Sequence, residues 1–210
     1  MNLIDALQWR YAAKRMNGQK VAPEKIQNIL DAARLAPSSM GLQPYTILVI
    51  ENEELRKKLQ PAAYNQPQIA EASHLLVFAA WTDVTEAQVE AYIQNIVATR
   101  GVSAESLEAF KGALLGIVHH RTREQKAEWA ARQAYIAFGT AIAAAAVEQV
   151  DATPMEGFDP QAVDALLQLE EQGLRAVTLL PLGYRDAEND FLAHAKKVRR
   201  DARELIVEVA

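Results

Sequence analysis

Cysteine is absent from the 210-residue sequence, so disulfides, thiolate metal sites and cysteine nucleophiles are excluded together. The usual phosphate-cradling and nucleophile signatures are missing as well: there is no G-x-G-x-x-G, no Walker A loop, no G-x-S-x-G elbow and no H-E-x-x-H pair. Positive charge is in deficit. A net charge of −5 and a pI near 5.5 argue against a whole-chain nucleic-acid binder, while leaving room for local basic patches. Met1-Asn2-Leu3-Ile4-Asp5 lacks a basic leader followed by a long apolar run, and no uninterrupted stretch approaches the ~20 apolar residues of a membrane span. The expectation is a cytoplasmic protein. His119-His120 point away from each other on a helix and have no carboxylate at ligand spacing, so no metal site is expected.

What is present is the composition of one ordinary domain, 50% hydrophobic with a mean hydropathy of −0.11. No repeat, low-complexity tract or linker divides it, so a single domain over residues 1–210 is expected. Asn2 caps a first helix in which Ile4, Leu7 and Tyr11 recur at helical spacing, with Arg10 and Lys14 four apart on one side. Pro23 opens a second helix whose inward stripe is Ile26, Ile29, Leu30 and Ala33, and Pro37 stops it. Thr46–Ile50, Leu75–Trp81 and Leu174–Leu182 read as buried strands, and Glu53–Ala63 as helical. His74 reads as a hydrogen-bonding structural histidine. The pairs Thr85/Gln88 and Thr122/Gln125 have capping-box spacing. They open a helical excursion over about 85–120 and then the longest helix, from Arg123 to about Gln149, rich enough in alanine for close packing. Asp159-Pro160 starts a helix through Leu169, and the tail carries the basic run Lys196–Arg200 before a short apolar strand, Leu205-Ile206-Val207.

Three loops have polar groups to offer. Ala36–Tyr45 lies between two apolar elements and holds Pro37, Ser38, Ser39 and Gln43. Tyr64-Asn65-Gln66-Pro67-Gln68 supplies donors and acceptors of the kind that read a heterocycle's edge. In Pro154-Met155-Glu156-Gly157 the glycine permits close approach of a ligand to the backbone. Each loop taken alone is also compatible with an ordinary polar turn.

In combination these segments resemble the FMN-dependent nitroreductases, in the branch of the oxygen-insensitive bacterial nitroreductases and dihydropteridine reductases. The resemblance rests on Arg10-Tyr11-Ala12-Ala13-Lys14, Ala36-Pro37-Ser38-Ser39 with Gln43-Pro44-Tyr45, Asn65 with Ala72-Ser73-His74, Glu128-Trp129 with Gln133 and Tyr135, Met155-Glu156-Gly157-Phe158-Asp159 and Lys197-Val198-Arg199. It spans nearly the whole chain. It implies an α+β fold with a mixed central sheet flanked by helices, and a homodimer with FMN at the interface and the C-terminal tail exchanged between subunits. By the same resemblance Arg10, Lys197 and Arg199 hold the FMN phosphate, with Tyr11 and Ala12 beside them. Lys14 and Asn65 face the pyrimidine edge, with Gln68 nearby. Pro37, Ser38 and Ser39 come from the partner, with Gln43 in the same pocket. Pro154, Met155, Glu156 and Gly157 cross the other ring face, a main-chain N–H of the Glu156-Gly157 pair lying near N5. Tyr64, Leu114 and Leu115 are the substrate-pocket candidates.

The implied activity is ping-pong reduction of nitroaromatics or quinones, hydride passing from NADH or NADPH through flavin N5. No side chain need act as nucleophile. Alternatives are a specialised reductase for a dihydropteridine, an enal or another activated substrate, a flavin-binding protein without turnover, and an interaction protein using the basic tail. The chain departs from the branch at Ala12, at Gly41-Leu42, at Tyr45 and at Gln68, where relatives carry serine, Asn-Ser, tryptophan and lysine.

Overall fold

The computed structural model describes residues 2–209. Asn2 caps α1 (Leu3–Trp9), its side chain accepting from the Asp5 N–H at 3.0 Å. The helix does not continue through Tyr11 to Lys14 as the spacing predicts. At Arg10 the backbone is extended (φ −70°, ψ 146°), and beyond it the Lys14 and Arg15 N–H groups donate to the Asp190 carboxylate instead of to helical carbonyls. Ala6 is the buried residue of α1, while Ile4 and Leu7, expected inside, are exposed.

α2 (Pro23–Leu35) buries Ile26, Ile29 and Ala33 of the stripe its spacing predicts, with Leu30 half-buried beside them. A short 3₁₀ turn, Ser39–Gly41, leads into β1 (Tyr45–Ile50). There follow α3 (Glu53–Leu59), α4 (Gln68–Glu71), β2 (His74–Trp81), α5 (Glu86–Arg100), α6 (Glu108–His120) and α7 (Arg123–Val147). The last elements are β3 (Asp151–Ala152), α8 (Pro160–Leu167), β4 (Leu174–Gly183) and α9 (Ala202–Leu205). Both predicted capping boxes form reciprocally, at Thr85/Gln88 and Thr122/Gln125.

The strands make one sheet in the order β1-β2-β4-β3, antiparallel at every pairing. The resemblance implies a mixed sheet; within one chain the described sheet has no parallel pair. The apolar run expected to form a further strand, Leu205-Ile206-Val207, instead ends α9 and leaves it exposed. β1 also differs from expectation. As an edge strand it has solvent on one side, so Val49 is exposed and Ile50 alone is buried.

The alternation of side chains along β2 divides the core in two. Leu76 and Phe78, with Leu180 and Leu182 of β4, face α2 and α7, and Phe78 meets Phe138 edge-to-face at 5.3 Å. Leu75, Val77 and Ala79, with Leu179, face α8 and the segment after α3. A third cluster holds α5 and α6 to Trp129 and Leu42. α7 runs through the first and third of these. By length and composition this 25-residue helix is sufficient to cross a membrane, a test that the core helix of a soluble protein also passes. Its apolar face is spent on the core, where ten of its residues are buried, among them Ala134, Ala137 and Ala141.

His74, at the start of β2, is buried and its Nδ1 lies 2.8 Å from the Ser73 hydroxyl, the structural role expected of it. Burial lowers its pKa below the usual histidine value; Lys20 and Arg56 add to this, while Glu51 opposes it. The unfolded chain therefore takes up a proton near pH ~6.5 that the folded chain refuses, and stability is lost as pH falls below that value. His74→Gln is expected to flatten the fall in urea midpoint between pH 7 and 5; an unchanged slope would place the acid sensitivity elsewhere.

Candidate active site

Five cations, Lys196 among them, converge where the two ends of the chain meet. Arg10, Arg185, Lys197 and Arg199 line one cavity of about 330 Å³, together with Trp9, Tyr11, Ala12 and Lys196, and no carboxylate is among its lining residues. Lys197 Nζ donates to the carbonyls of Leu7 and Arg10, which fixes the tail against the end of α1. Arg10 reaches the Ala152 carbonyl at 3.3 Å through Nη2, while its buried Nε has no partner among the described residues. Burial and then the neighbouring Arg199 hold the Arg10 pKa down; burial, Arg10 and Arg199 do the same to Lys197. The cavity thus concentrates positive charge that the chain itself leaves partly uncompensated, and such a site takes an anion.

Arg185 differs from the other cations of the cavity. It forms an ion pair with the buried Asp151, Nη2 lying 2.6 Å from Oδ1, and its Nε donates to Oδ1 at 2.9 Å and Oδ2 at 3.1 Å. Its guanidinium also sits 4.3 Å from the Trp9 ring centre and 4.5 Å from that of Tyr11. The Tyr11 hydroxyl donates to Asp190 at 3.0 Å, and burial followed by that bond raises the phenol's pKa. Burial pushes the Asp190 carboxyl up, yet donors from Leu192, Lys14, Tyr11 and Arg15 prevail and hold it below the usual range. Neither Arg185 nor Asp190 stands out in the sequence, because each takes its meaning from a partner far along the chain.

Two of the predicted loops are tied to this cavity. Thr153 donates its hydroxyl to the Ala13 carbonyl at 2.6 Å, and the Met16 N–H and the Arg15 guanidinium hold Glu71 of α4. These bonds seat 10–16 between the strap 153–157 and the loop 64–68. The strap and the loop are joined in turn by Gln66, whose Nε2 donates to the Gly157 carbonyl at 2.7 Å. Along the strap Met155 is buried and bridged to Leu179, while Glu156 and Gly157 are exposed and their N–H groups make no hydrogen bond among the described residues. The Glu156 carboxylate accepts from the Tyr135 hydroxyl at 2.7 Å. Tyr64 and Asn65 both adopt left-handed backbone (φ 53° and 57°), which turns them outward, and Tyr64 is exposed.

Several expected site residues lie elsewhere. Gln68 is buried, with its amide directed at Gln66 and Met155, so it braces the loop and strap. Leu114 is buried in the cluster under α5 and α6, with Leu115 packed on it, because the inward face of a helix lying on another helix has no access to a pocket. The Gln43 side chain donates to the Arg34 carbonyl of α2, and its own N–H goes to the Ser38 hydroxyl. Ser39 donates its N–H to Gln133 of α7. Pro37, Ser38 and Ser39 contribute nothing to the cavity lined by Arg10 and Lys197 in the same chain.

Residues 7–184 match the family model described as the Nitroreductase family. A protein of Staphylococcus saprophyticus named, by inference, an NAD(P)H nitroreductase is 32% identical over 195 residues, covering 89% of each chain. The major NAD(P)H-flavin oxidoreductase of Aliivibrio fischeri is 30% identical over 214 residues, covering 97% of each. A chain from Exiguobacterium sibiricum, solved in complex with FMN, superposes with a TM-score of 0.85 at 20% identity, over 100% of this chain and 98% of that one. The chain belongs to the nitroreductase family, and its fold is that of the family's solved members.

Proposed function

We propose that this chain is an FMN-dependent NAD(P)H oxidoreductase, acting as a homodimer on nitroaromatic or quinone acceptors. The observation that carries the reading is the cavity between the chain's two ends, with its like charges and the unpartnered Nε of Arg10. A phosphate dianion offsets that repulsion and accepts from Arg10, Lys197 and Arg199, so the residues fit FMN. FMN, when bound, supplies a carrier that takes hydride from NADH or NADPH and returns it to the acceptor.

The protein's part is binding and placement. In this reading Lys14 and Asn65 face the pyrimidine edge, where a fixed ammonium favours the reduced form. The free N–H groups of Glu156 and Gly157 lie toward the ring's reactive centre, on a strap that Gln66 and Tyr135 keep in place. Ser38 and Ser39, remote from their own chain's cationic cavity, serve the partner's flavin. A second copy also fits the surface, since Leu3, Ile4, Leu7 and Ile136 are exposed on α1 and α7, and the apolar tail at Leu205–Val207 covers nothing in its own chain.

The test is the visible spectrum of the purified protein after addition of FMN, followed by NADH and NADPH oxidation with a nitroaromatic, a quinone and an enal in turn. Bound flavin bands and steady oxidation with a nitro or quinone acceptor are expected. A featureless visible spectrum defeats the reading; flavin bands without turnover convert it to a binding protein, and turnover with the enal alone to a specialised reductase.

A further inference from the structure

We propose that Asp190 is a positioning residue for the cofactor, its carboxylate setting the chain path that presents Arg10 and Lys14 to FMN. The inference rests on the functional reading above and concerns a residue outside the cavity lining. Asp190 is 4% exposed. Its Oδ2 accepts from the Lys14 N–H at 2.6 Å, the Tyr11 hydroxyl at 3.0 Å and the Arg15 N–H at 3.4 Å, and its Oδ1 from the Leu192 N–H at 2.9 Å. All four donors are uncharged groups. A buried carboxylate satisfied by neutral donors gains less than one paired with a cation, so stability alone is a weak reason for its presence.

Its geometric effect is specific. The sequence from Leu3 to Lys14 has helical spacing, yet the helix ends at Trp9. Were it to continue, the Lys14 N–H would point along the axis to the carbonyl of Arg10, and Arg10 and Lys14 would stack on one face. With that N–H turned to Asp190, the chain leaves the helix after Trp9, Arg10 enters the cavity beside Lys197, and the Ala13 carbonyl meets Thr153. Glu71 secures the far end of the segment, at Arg15 and Met16. Among the described residues Asp190 is the side chain that holds the Lys14 amide.

The test uses Asp190→Asn, Asp190→Glu, Lys14→Met and the double variant Lys14→Met/Asp190→Asn. An amide is neutral, so the bonds it accepts from the Lys14, Arg15 and Tyr11 donors are weaker than a carboxylate's, and its NH₂ group faces one of the N–H donors. In the FMN-free protein, hydrogen exchange at the Lys14 and Arg15 amides is expected to accelerate in Asp190→Asn while amides of β2 and α7 keep their protection. With FMN, Lys14→Met is expected to lower the preference for reduced over oxidised flavin about tenfold. Asp190→Asn should lower it by a similar factor, the double variant no further, and Asp190→Glu should recover much of the loss. If Asp190→Asn does not fold, Asp190→Glu, which keeps the carboxylate but displaces it by one methylene, takes its place, with a smaller acceleration of exchange at Lys14 and a smaller loss of redox preference expected. Local exchange and redox preference both unchanged, or shifts that add in the double variant, overturn the proposal. A wild-type protein that binds no FMN refutes the functional reading, and the exchange experiment on Asp190 then still stands by itself.

Discussion

Arg10→Ala is expected to weaken FMN binding by about 10- to 150-fold, the worth of one charge-assisted contact of ~1.5–3 kcal/mol, while leaving the FMN-free chain no less stable. The two halves have one cause. Arg10 is desolvated beside Arg199 and Lys197, its Nε is unpartnered, and its one described bond, to Ala152, is long at 3.3 Å. Its charge is a burden to the folded chain until an anion arrives. Arg185, on the wall of the same cavity, should behave in the opposite way. Its removal leaves Asp151 buried and unpaired, which costs about 3–5 kcal/mol whether or not flavin is present. A fluorescence titration with FMN and a thermal melt of each variant separate the two roles. Loss of apo stability in Arg10→Ala together with unchanged FMN affinity would show that Arg10, too, is structural.

That contrast marks how far the sequence could be read. Arg10, Lys197 and Arg199 were legible because a basic run in an acidic chain is conspicuous and because the surrounding motifs resemble a family. Arg185 and Asp190 were not, since a lone arginine and a lone aspartate carry no local pattern and their partners lie 34 and 176 positions away. The overrun of α1 has the same origin: its spacing is helical up to Lys14, and a distant carboxylate overrides it. Local devices fared better. The two capping boxes need residues only three apart, and both form. β2 was legible as buried because both of its faces are covered, whereas the apolar run of β1 did not reveal an edge, a property that belongs to the sheet and not to the strand. Leu114 and Gln68 were named for the site by resemblance, and within one chain packing places one side chain in a helix cluster and the other as a brace beneath the strap.

Gly41→Ala is expected to destabilise the chain by ~2–4 kcal/mol, of which ~1–2 kcal/mol comes from left-handed backbone and the rest from overpacking. Gly41 has φ +72°, and a Cβ there collides with the Tyr92 hydroxyl oxygen but lies 3.4 Å from the ring carbon that bears it. The loop around it is already strained, with Met40 at φ 56° and Gln43 at φ 50°. Tyr92 helps hold it by donating to the Met40 carbonyl at 2.9 Å, which ties the excursion formed by α5 and α6 to the segment carrying Ser38 and Ser39. Deleting the one offending atom should therefore rescue the variant. Gly41→Ala/Tyr92→Phe is expected to be ~1 kcal/mol more stable than Gly41→Ala alone, although Tyr92→Phe in the native background costs about that much by losing the bond to Met40. If Ser38 and Ser39 meet the partner's flavin, FMN affinity in the dimer should fall and recover in the same order. Chemical denaturation and FMN titration of the three variants decide the matter: simple additivity of the two substitutions would disprove the clash, and a rescue of stability without any movement in FMN affinity would detach this loop from the cofactor.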